Sequence, residues 1–215
     1  MADLAILAKA PVPGFAKTRL VPLLGPEGAA RLQERLIERA LATALASAIG
    51  PITLWCAPDE GHPAFQSAGS RPGVRLARQP DGDLGARMLA AFRAASAGSG
   101  MVLIGTDCPV LTAADLRAAA SALATADLVI APAEDGGYGL IAASRPHPGL
   151  FECMPWSTDQ VAALTRHRAR QGGLQIVELR TVWDVDTPAD VARLRATNPG
   201  LDIPAMVKNT AARPA

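Results

Sequence analysis

The amino-acid sequence predicts one α/β domain built on a mostly parallel sheet. Three observations carry that prediction. Short apolar runs alternate with stretches of helical periodicity along the chain. Its 215 residues suit a single domain and suffice for a buried core. Apolar residues make up 49% and charged residues 19%, the balance of a globular chain and not of a disordered one.

The elements follow in order. Residues 4–8, LAILA, form an unbroken apolar run, the mark of a strand covered on both faces. A loop rich in proline, glycine and basic residues comes next. Pro26 and Glu27 then mark a helix start. Leu32, Leu36, Ala40, Leu41, Leu45 and Ile49 recur at helical spacing, and Gly50 is the expected terminator. Residues 52–57 and 74–78 read as strands. Residues 84–95 read as a helix with Met88, Ala91, Phe92 and Ala95 on one face. The clearest strand is MVLIG at 101–105. Thr112 and Asp115 have capping-box spacing before a helix to about residue 124. Strands are expected at 128–131, 138–143 and 174–179, and helices at 158–170 and 188–196. The domain is expected to span residues 1–197, with 198–215 a flexible tail.

Composition excludes several functions. Lys and Arg number 21 against 20 Asp and Glu, so no bulk charge draws the chain to nucleic acid. No apolar stretch reaches the 18 residues of a membrane span. The first apolar run stops at Lys9, too short for a signal peptide. Cys56, Cys108 and Cys153 are widely spaced and fit neither a disulfide framework nor a CxxC metal site; reduced thiols point to the cytoplasm. No HExxH, GxSxG, P-loop or GxGxxG signature is present.

In a parallel sheet, ligands bind beyond the carboxyl ends of the strands, and the chemistry-bearing residues of this chain fall just after predicted strands. KAPVPGFAKTRL at 9–20 offers Lys9, Lys17 and Arg19, suited to phosphate oxygens, and Gly14 for a tight turn. The same loop also reads as an ordinary solvated one. Asp107, in TDCP after the clearest strand, is placed either to hold a hard cation or to cap the next turn. Asp184 and Asp186 lie two apart, so on extended backbone they share a face; Asp186 or Thr187 before Pro188 also makes a helix cap. Asp190 suits that helix's first turn and reads as structural. EDGGYG at 134–139 is a flexible, aromatic-bearing loop or a plain hairpin. Asp83 opens a helix near Gln79 and Gly85, and Trp156 is either a pocket wall or core. Cys108, beside an aspartate, is disfavoured as a thiolate and reads as packing.

The motifs at 9–20, DLGARM at 83–88, GTDCP at 105–109, DGGY at 135–138, WST at 156–158 and DVDTP at 184–188 occur in one order. This set resembles a bacterial family of small GT-A-like transferases, labelled glycosyltransferases or selenium-domain-associated transferases. It is also similar to phospholactate guanylyltransferases and, more remotely, to molybdenum-cofactor guanylyltransferases. The resemblance spans about residues 4–196.

It implies a GT-A, nucleotide-diphospho-sugar transferase-like α/β/α sandwich. Lys9, Gly14, Lys17 and Arg19 would take nucleotide phosphates, and Gln79, Asp83 and Gly85 the base or ribose. Asp107, with Asp186 and Asp184, would hold Mg²⁺ or Mn²⁺. Asp135, Gly136, Gly137, Tyr138 and Trp156 would face the acceptor, and Lys17, Arg19 and Asp107 would carry the reaction. Metal-dependent glycosyltransferases of this fold usually carry Asp-x-Asp at the end of the central strand; here the second position is Pro109. The resemblance therefore implies nucleotidyl transfer from a nucleoside triphosphate to a small phosphorylated acceptor. Glycosyl transfer from a nucleotide-sugar is the second reading, and a non-catalytic nucleotide-binding module the third. Alanine-rich helix faces are compatible with a homodimer.

Overall fold

The protein is described by a computed structural model covering residues 2–197 and 201–207. Among the described residues, seven strands form one sheet: β1 (Ala2–Lys9), β2 (Ile52–Ala57), β3 (Val74–Arg78), β4 (Gly100–Gly105), β5 (Leu128–Pro132), β6 (Tyr138–Ala143) and β7 (Ile176–Glu178). The helices are α1 (Val21–Ser47), α2 (Pro63–Gly69), α3 (Leu84–Arg93), α4 (Ala113–Ala122), α5 (Val161–Gln171) and α6 (Pro188–Thr197). The strand order is β3-β2-β1-β4-β6-β5-β7. β6 runs antiparallel to β4 and β5, and every other strand pair is parallel.

The pleat sends alternate residues to opposite faces. Leu4, Ile6 and Ala8 of β1 enter a cluster with Ile37 and Leu41 of α1, Phe65 of α2 and Leu116 of α4. Ala5 enters another with Met88 and Phe92 of α3 and Ala169 of α5. Helices thus cover both faces, giving the three-layer α/β/α sandwich, and the strands read as unbroken apolar runs for that reason. Leu4 lies opposite both Ile52 and Val102, so β1, β2 and β4 end at one edge of the sheet. The loops after β1, β3, β4 and β5, which carry Lys17, Asp83, Asp107 and Asp135, emerge there, whereas the loop that carries Trp156 leaves the antiparallel β6 at the opposite edge.

Helix α1 begins earlier than its proline suggests. Residues 21–24 make one turn, Gly25 breaks it at φ +71°, and Pro26 restarts the helix. Its end is also earlier: Ala48, at φ +51°, closes it after Ser47, and Leu45 on the expected apolar stripe is exposed. Gly50 serves a different purpose, since a Cβ there would overlap the Ala2 carbonyl. Helix α2 was not expected; His62 caps it, accepting from the Ala64 N–H at 3.2 Å. Helix α5 starts at Val161 and not near 158, because the Thr158 hydroxyl turns back to the Pro155 carbonyl at 2.8 Å.

A third cluster lies under the carboxyl edge: Leu20, Leu24, Leu32 and Leu36 pack with Trp183, Val185, Val191 and Leu194. Leu201 and Ile203 lean on it. The Val207 N–H donates to the Leu23 carbonyl at 3.0 Å, and Arg195 donates to the Pro204 carbonyl at 2.7 Å. The expected tail at 198–215 is thus described only over 201–207; residues 198–200 and 208–215 lie outside the described residues. No described helix is long and apolar enough to cross a membrane.

The capping box on α4 is formed as expected. The Thr112 hydroxyl accepts from the Asp115 N–H, and Asp115 accepts from the Thr112 N–H at 2.8 Å. Asp115 also pairs with Arg180 at 2.7 Å. Burial works to raise the Asp115 pKa, but Arg180 and Thr112 outweigh it and hold the carboxyl below its ordinary value. Asp115→Ala should cost about 1–2 kcal/mol, the range of a helix cap plus a surface ion pair. A depressed acid stabilises above its unfolded pKa and loses that contribution as pH falls through the folded value. The wild-type advantage, read by urea denaturation, is therefore full at neutral pH and fades only in acid.

Candidate active site

The loop after β1 returns to the sheet edge through Lys17, which sits in the left-handed region at φ +47°, ψ +46°. A side chain with a Cβ pays about 1–3 kcal/mol to stay there. Its ammonium shows what holds it. It donates to the Val185 carbonyl at 2.6 Å, contacts Asp107 Oδ1 at 2.7 Å and reaches Asp186 Oδ1 at 3.2 Å. The Lys17 side chain is 5% exposed, while its partners' carboxylates are 48% and 39% exposed. Burial works against this ammonium, but Asp107 and Asp186 outweigh it and hold its pKa above the ordinary lysine value. Arg19, exposed, donates to the other Asp186 oxygen at 3.1 Å.

Two acids that sequence leaves between cap and ligand are both free of capping. The Asp107 carboxylate accepts from the Thr106 hydroxyl and pairs with Lys17, and the cap of α4 is Thr112. At α6, Asp190 accepts from the Thr187 N–H at 2.7 Å and the Asp186 N–H at 3.1 Å, which leaves the Asp186 carboxylate to Lys17 and Arg19. The Val185 N–H donates to the Asp107 carbonyl at 2.9 Å and splices this distant segment onto the end of β4. Asp184 is half-buried; burial first, then the charges of Asp135 and Asp186, push its carboxyl up to about 6. Among the described residues, no three His, Cys, Asp or Glu side chains converge closely enough to hold a metal ion by themselves. Asp184 does not join Asp107 and Asp186 in one tight triad.

Sequence reasoning passed over Gln33. This buried side chain of α1 donates to the Lys9 carbonyl and to the Thr106 hydroxyl, each at 3.2 Å. Thr106 in turn donates to Asp107 Oδ1 at 3.3 Å. The signal was a glutamine standing inside the Leu32–Leu36 apolar stripe, since a buried amide must find partners.

Other expected residues are placed differently. Lys9 and Gly14 are exposed on the first loop, with Gly14 at φ +77°. Gln79 is buried at the same sheet edge, and its amide donates to the Ala8 and Trp55 carbonyls at 3.0 and 2.8 Å. Asp83 caps α3, accepting from the Ala86 N–H at 2.8 Å. A Cβ on Gly85 would come within 2.9 Å of the Phe151 carbonyl and the Trp156 ring, so protein fills the space above it. Trp156 and Tyr138 pack against the α3-side cluster. The Tyr138 hydroxyl lies 4.0 Å from the Met88 sulfur, and burial pushes its pKa up. Asp135 accepts from the Gly137 N–H at 2.9 Å in the turn between β5 and β6. Cys108 packs against Gly139 and Val182; burial, then Asp184 and Asp107, push its thiol pKa up, as suits a packing residue. At the opposite edge of the sheet, an open hollow of about 510 Å³ is lined by Ala44, Ala48, Gly50, Ile52 and Gly73 with Arg75, far from these acids.

The family model "Uncharacterized protein conserved in bacteria (DUF2064)" matches residues 40–158. That range holds Gln79, Asp107, Asp135 and Trp156 but not Lys17 or Asp186. No curated protein sequence matches the chain. A protein of Desulfovibrio desulfuricans G20 assigned to the nucleotide-diphospho-sugar transferases is 30% identical; the match covers 92% of this chain and 89% of that one, with TM-score 0.80. The CMP:2-keto-3-deoxy-manno-octonic acid synthetase complexed with CTP is 14% identical, with coverage of 93% and 99% and TM-score 0.60. Rv0371c of Mycobacterium tuberculosis H37Rv, in complex with manganese, is 19% identical, with coverage of 92% and 100% and TM-score 0.58. The last two share the fold. The family match over more than half of the chain and the 30% identity across nearly all of it agree: the chain belongs to the DUF2064 family and is a transferase with a nucleotide-diphospho-sugar transferase-like fold.

Proposed function

We propose that this transferase moves a nucleoside monophosphate from a nucleoside triphosphate to a small phosphorylated acceptor, releasing pyrophosphate, with a divalent cation at Asp107 and Asp186. The observation that carries this reading is the pairing of those two acids. One stands alone at the end of β4, where Pro109 replaces the second acid of an Asp-x-Asp, and the other arrives from the segment before α6.

The donor set fits a small hard cation. Two half-exposed carboxylates and the Val185 carbonyl already converge on one positive centre, the Lys17 ammonium. Oxygen donors of this kind suit Mg²⁺ or Mn²⁺, which would neutralise phosphate charge in the transition state. Manganese in Rv0371c supports the same reading. Asp184, whose pKa is raised by burial first and then by Asp135 and Asp186, adds negative potential beside the pair.

The chain's own residues do the rest. Arg19 spends one donor on Asp186 and keeps the remainder of an exposed guanidinium for phosphate oxygens. Lys9 and the turn at Gly14 flank the same edge. CTP in the synthetase of like fold supports a triphosphate there. The acceptor phosphate oxygen attacks the α-phosphorus, the bond to the bridging oxygen of the β-phosphate breaks, and pyrophosphate leaves. An ionised phosphate needs no general base. A hydroxyl acceptor would give its proton to Asp135. Asp135, Gly136 and Gly137 form the acceptor side, with Tyr138 and Trp156 as its apolar backing.

The 30% identity to a protein assigned to the nucleotide-diphospho-sugar transferases favours a second reading, glycosyl transfer from a nucleotide-sugar. Products separate the two. With Mg²⁺, one of the four nucleoside triphosphates and a panel of sugar and small-molecule phosphates should yield pyrophosphate, read by ³¹P NMR. Release of a nucleoside diphosphate from a nucleotide-sugar instead overturns nucleotidyl transfer. The productive triphosphate, at about a hundred times its Kd, should stabilise the fold by about 2.7 kcal/mol, a shift of several degrees in melting temperature.

A further inference from the structure

An ammonium group has three hydrogens to donate. Lys17 donates to the Val185 carbonyl and to Asp186 and lies 2.7 Å from Asp107 Oδ1 in an ion pair, so the protein itself occupies this ammonium. Its position is the one between two carboxylates that a divalent cation would need. Mg²⁺ takes its oxygens at about 2.0–2.1 Å, so an ammonium and a metal ion cannot share that space.

We propose that Lys17 is a tethered cation that fills the divalent-metal position between Asp107 and Asp186 and exchanges with the metal when a triphosphate arrives. This inference rests on the metal-dependent reading above and adds an exchange to it. The exchange has a physical logic. With no metal bound, the two acids would repel each other; the lysine neutralises them and keeps the segment before α6 docked on the end of β4. Displacing it leaves a buried ammonium without partners, so metal alone binds at a penalty. A triphosphate supplies new acceptors for that ammonium, which makes the metal and the triphosphate bind cooperatively. The neighbourhood allows the movement: Pro13, Gly14 and Phe15 of the same loop are exposed, and Phe15 is 68% accessible. Arg19 stays on the outer oxygen of Asp186 and can hold that acid while Lys17 turns away.

The test is Mn²⁺ binding to the full chain without nucleotide, read by electron paramagnetic resonance of the free ion at fixed ionic strength. Lys17→Met should bind Mn²⁺ about tenfold more tightly than the wild type, because a competing unit charge has been removed. Adding Asp107→Asn to Lys17→Met should erase the gain. Equal or weaker binding by a folded Lys17→Met overturns the exchange and leaves the transferase reading standing. Failure of both proteins to bind Mn²⁺ overturns the metal-dependent reading and the exchange with it. If Lys17→Met does not fold, Lys17→Gln takes its place.

The wild type gives an independent measurement. A buried, bonded ammonium exchanges its hydrogens slowly and should show a resolved lysine ¹⁵Nζ–H signal. That signal should shift or vanish when Mg²⁺ and inorganic tripolyphosphate are added together. Its persistence under conditions where tripolyphosphate raises the melting temperature overturns the proposal.

Discussion

Replacing Asp107 by Asn should lower kcat/KM by about a thousandfold, the scale of losing one centre of charge stabilisation at a phosphoryl-transfer site. The fold should survive it. Asn keeps the shape and still accepts from the Thr106 hydroxyl, and Lys17 keeps the Val185 carbonyl and Asp186. Asp107 is half-exposed, so water replaces what the lost charge gave up. The cost to stability should stay near 1 kcal/mol, or about 2–4 °C in melting temperature for a chain of this length. Pyrophosphate release by ³¹P NMR and a thermal melt on the same sample decide the matter. Activity within tenfold of the wild type moves the metal role away from Asp107. A collapse of the melting temperature alongside activity makes Asp107 a structural anchor for Lys17.

The contrast between these acids and their neighbours shows what the sequence makes legible. Unbroken apolar runs at 4–8 and 101–105 announce buried parallel strands, and loops after such strands are where chemistry sits. That logic reaches Lys17, Arg19, Asp107 and Asp186 without coordinates. It cannot tell a ligand from a cap. Asp107 turns to Thr106 and Lys17, and Asp186 is released because Asp190 does the capping at α6. Asp83, equally plausible beforehand, turns out to cap α3. Nor can sequence show that Lys17 reaches across to Val185 and Asp186 and spends its donors there, because that contact joins segments more than 160 residues apart. Helix α2 is too short for periodicity to reveal; only Pro63 after a polar residue marks its start. Sequence leaves Tyr138 in a loop or a plain hairpin and Trp156 as pocket wall or core. The pleat of β6 turns Tyr138 toward α3 and its hydroxyl toward Met88.

Gly136→Ala should destabilise the protein by about 3 kcal/mol or more, a loss of about 6–12 °C, whereas Gly14→Ala should cost only about 1 kcal/mol. Both glycines sit at positive φ, +88° and +77°, so both variants bear the same left-handed penalty. They differ in what a methyl group would meet. Nothing lies within 4 Å of a Cβ on Gly14. A Cβ on Gly136 would overlap the backbone of Asp159 at its carbonyl, and backbone cannot rotate out of the way as a side chain can. The same glycine is tied on both sides, its N–H to the Ala133 carbonyl at 3.0 Å and its carbonyl to the Ala162 N–H at 2.9 Å. Relief therefore requires the tip between β5 and β6 to pull away from the start of α5. Asp135 rides on that tip, and its charge helps raise the Asp184 pKa. Gly136→Ala should thus lose transfer activity together with stability, unlike Asp107→Asn, which loses activity almost alone. Equal melting temperatures for Gly136→Ala and Gly14→Ala would mean that the loop at 157–160 yields freely, and that the acceptor side of the site is not built on this contact.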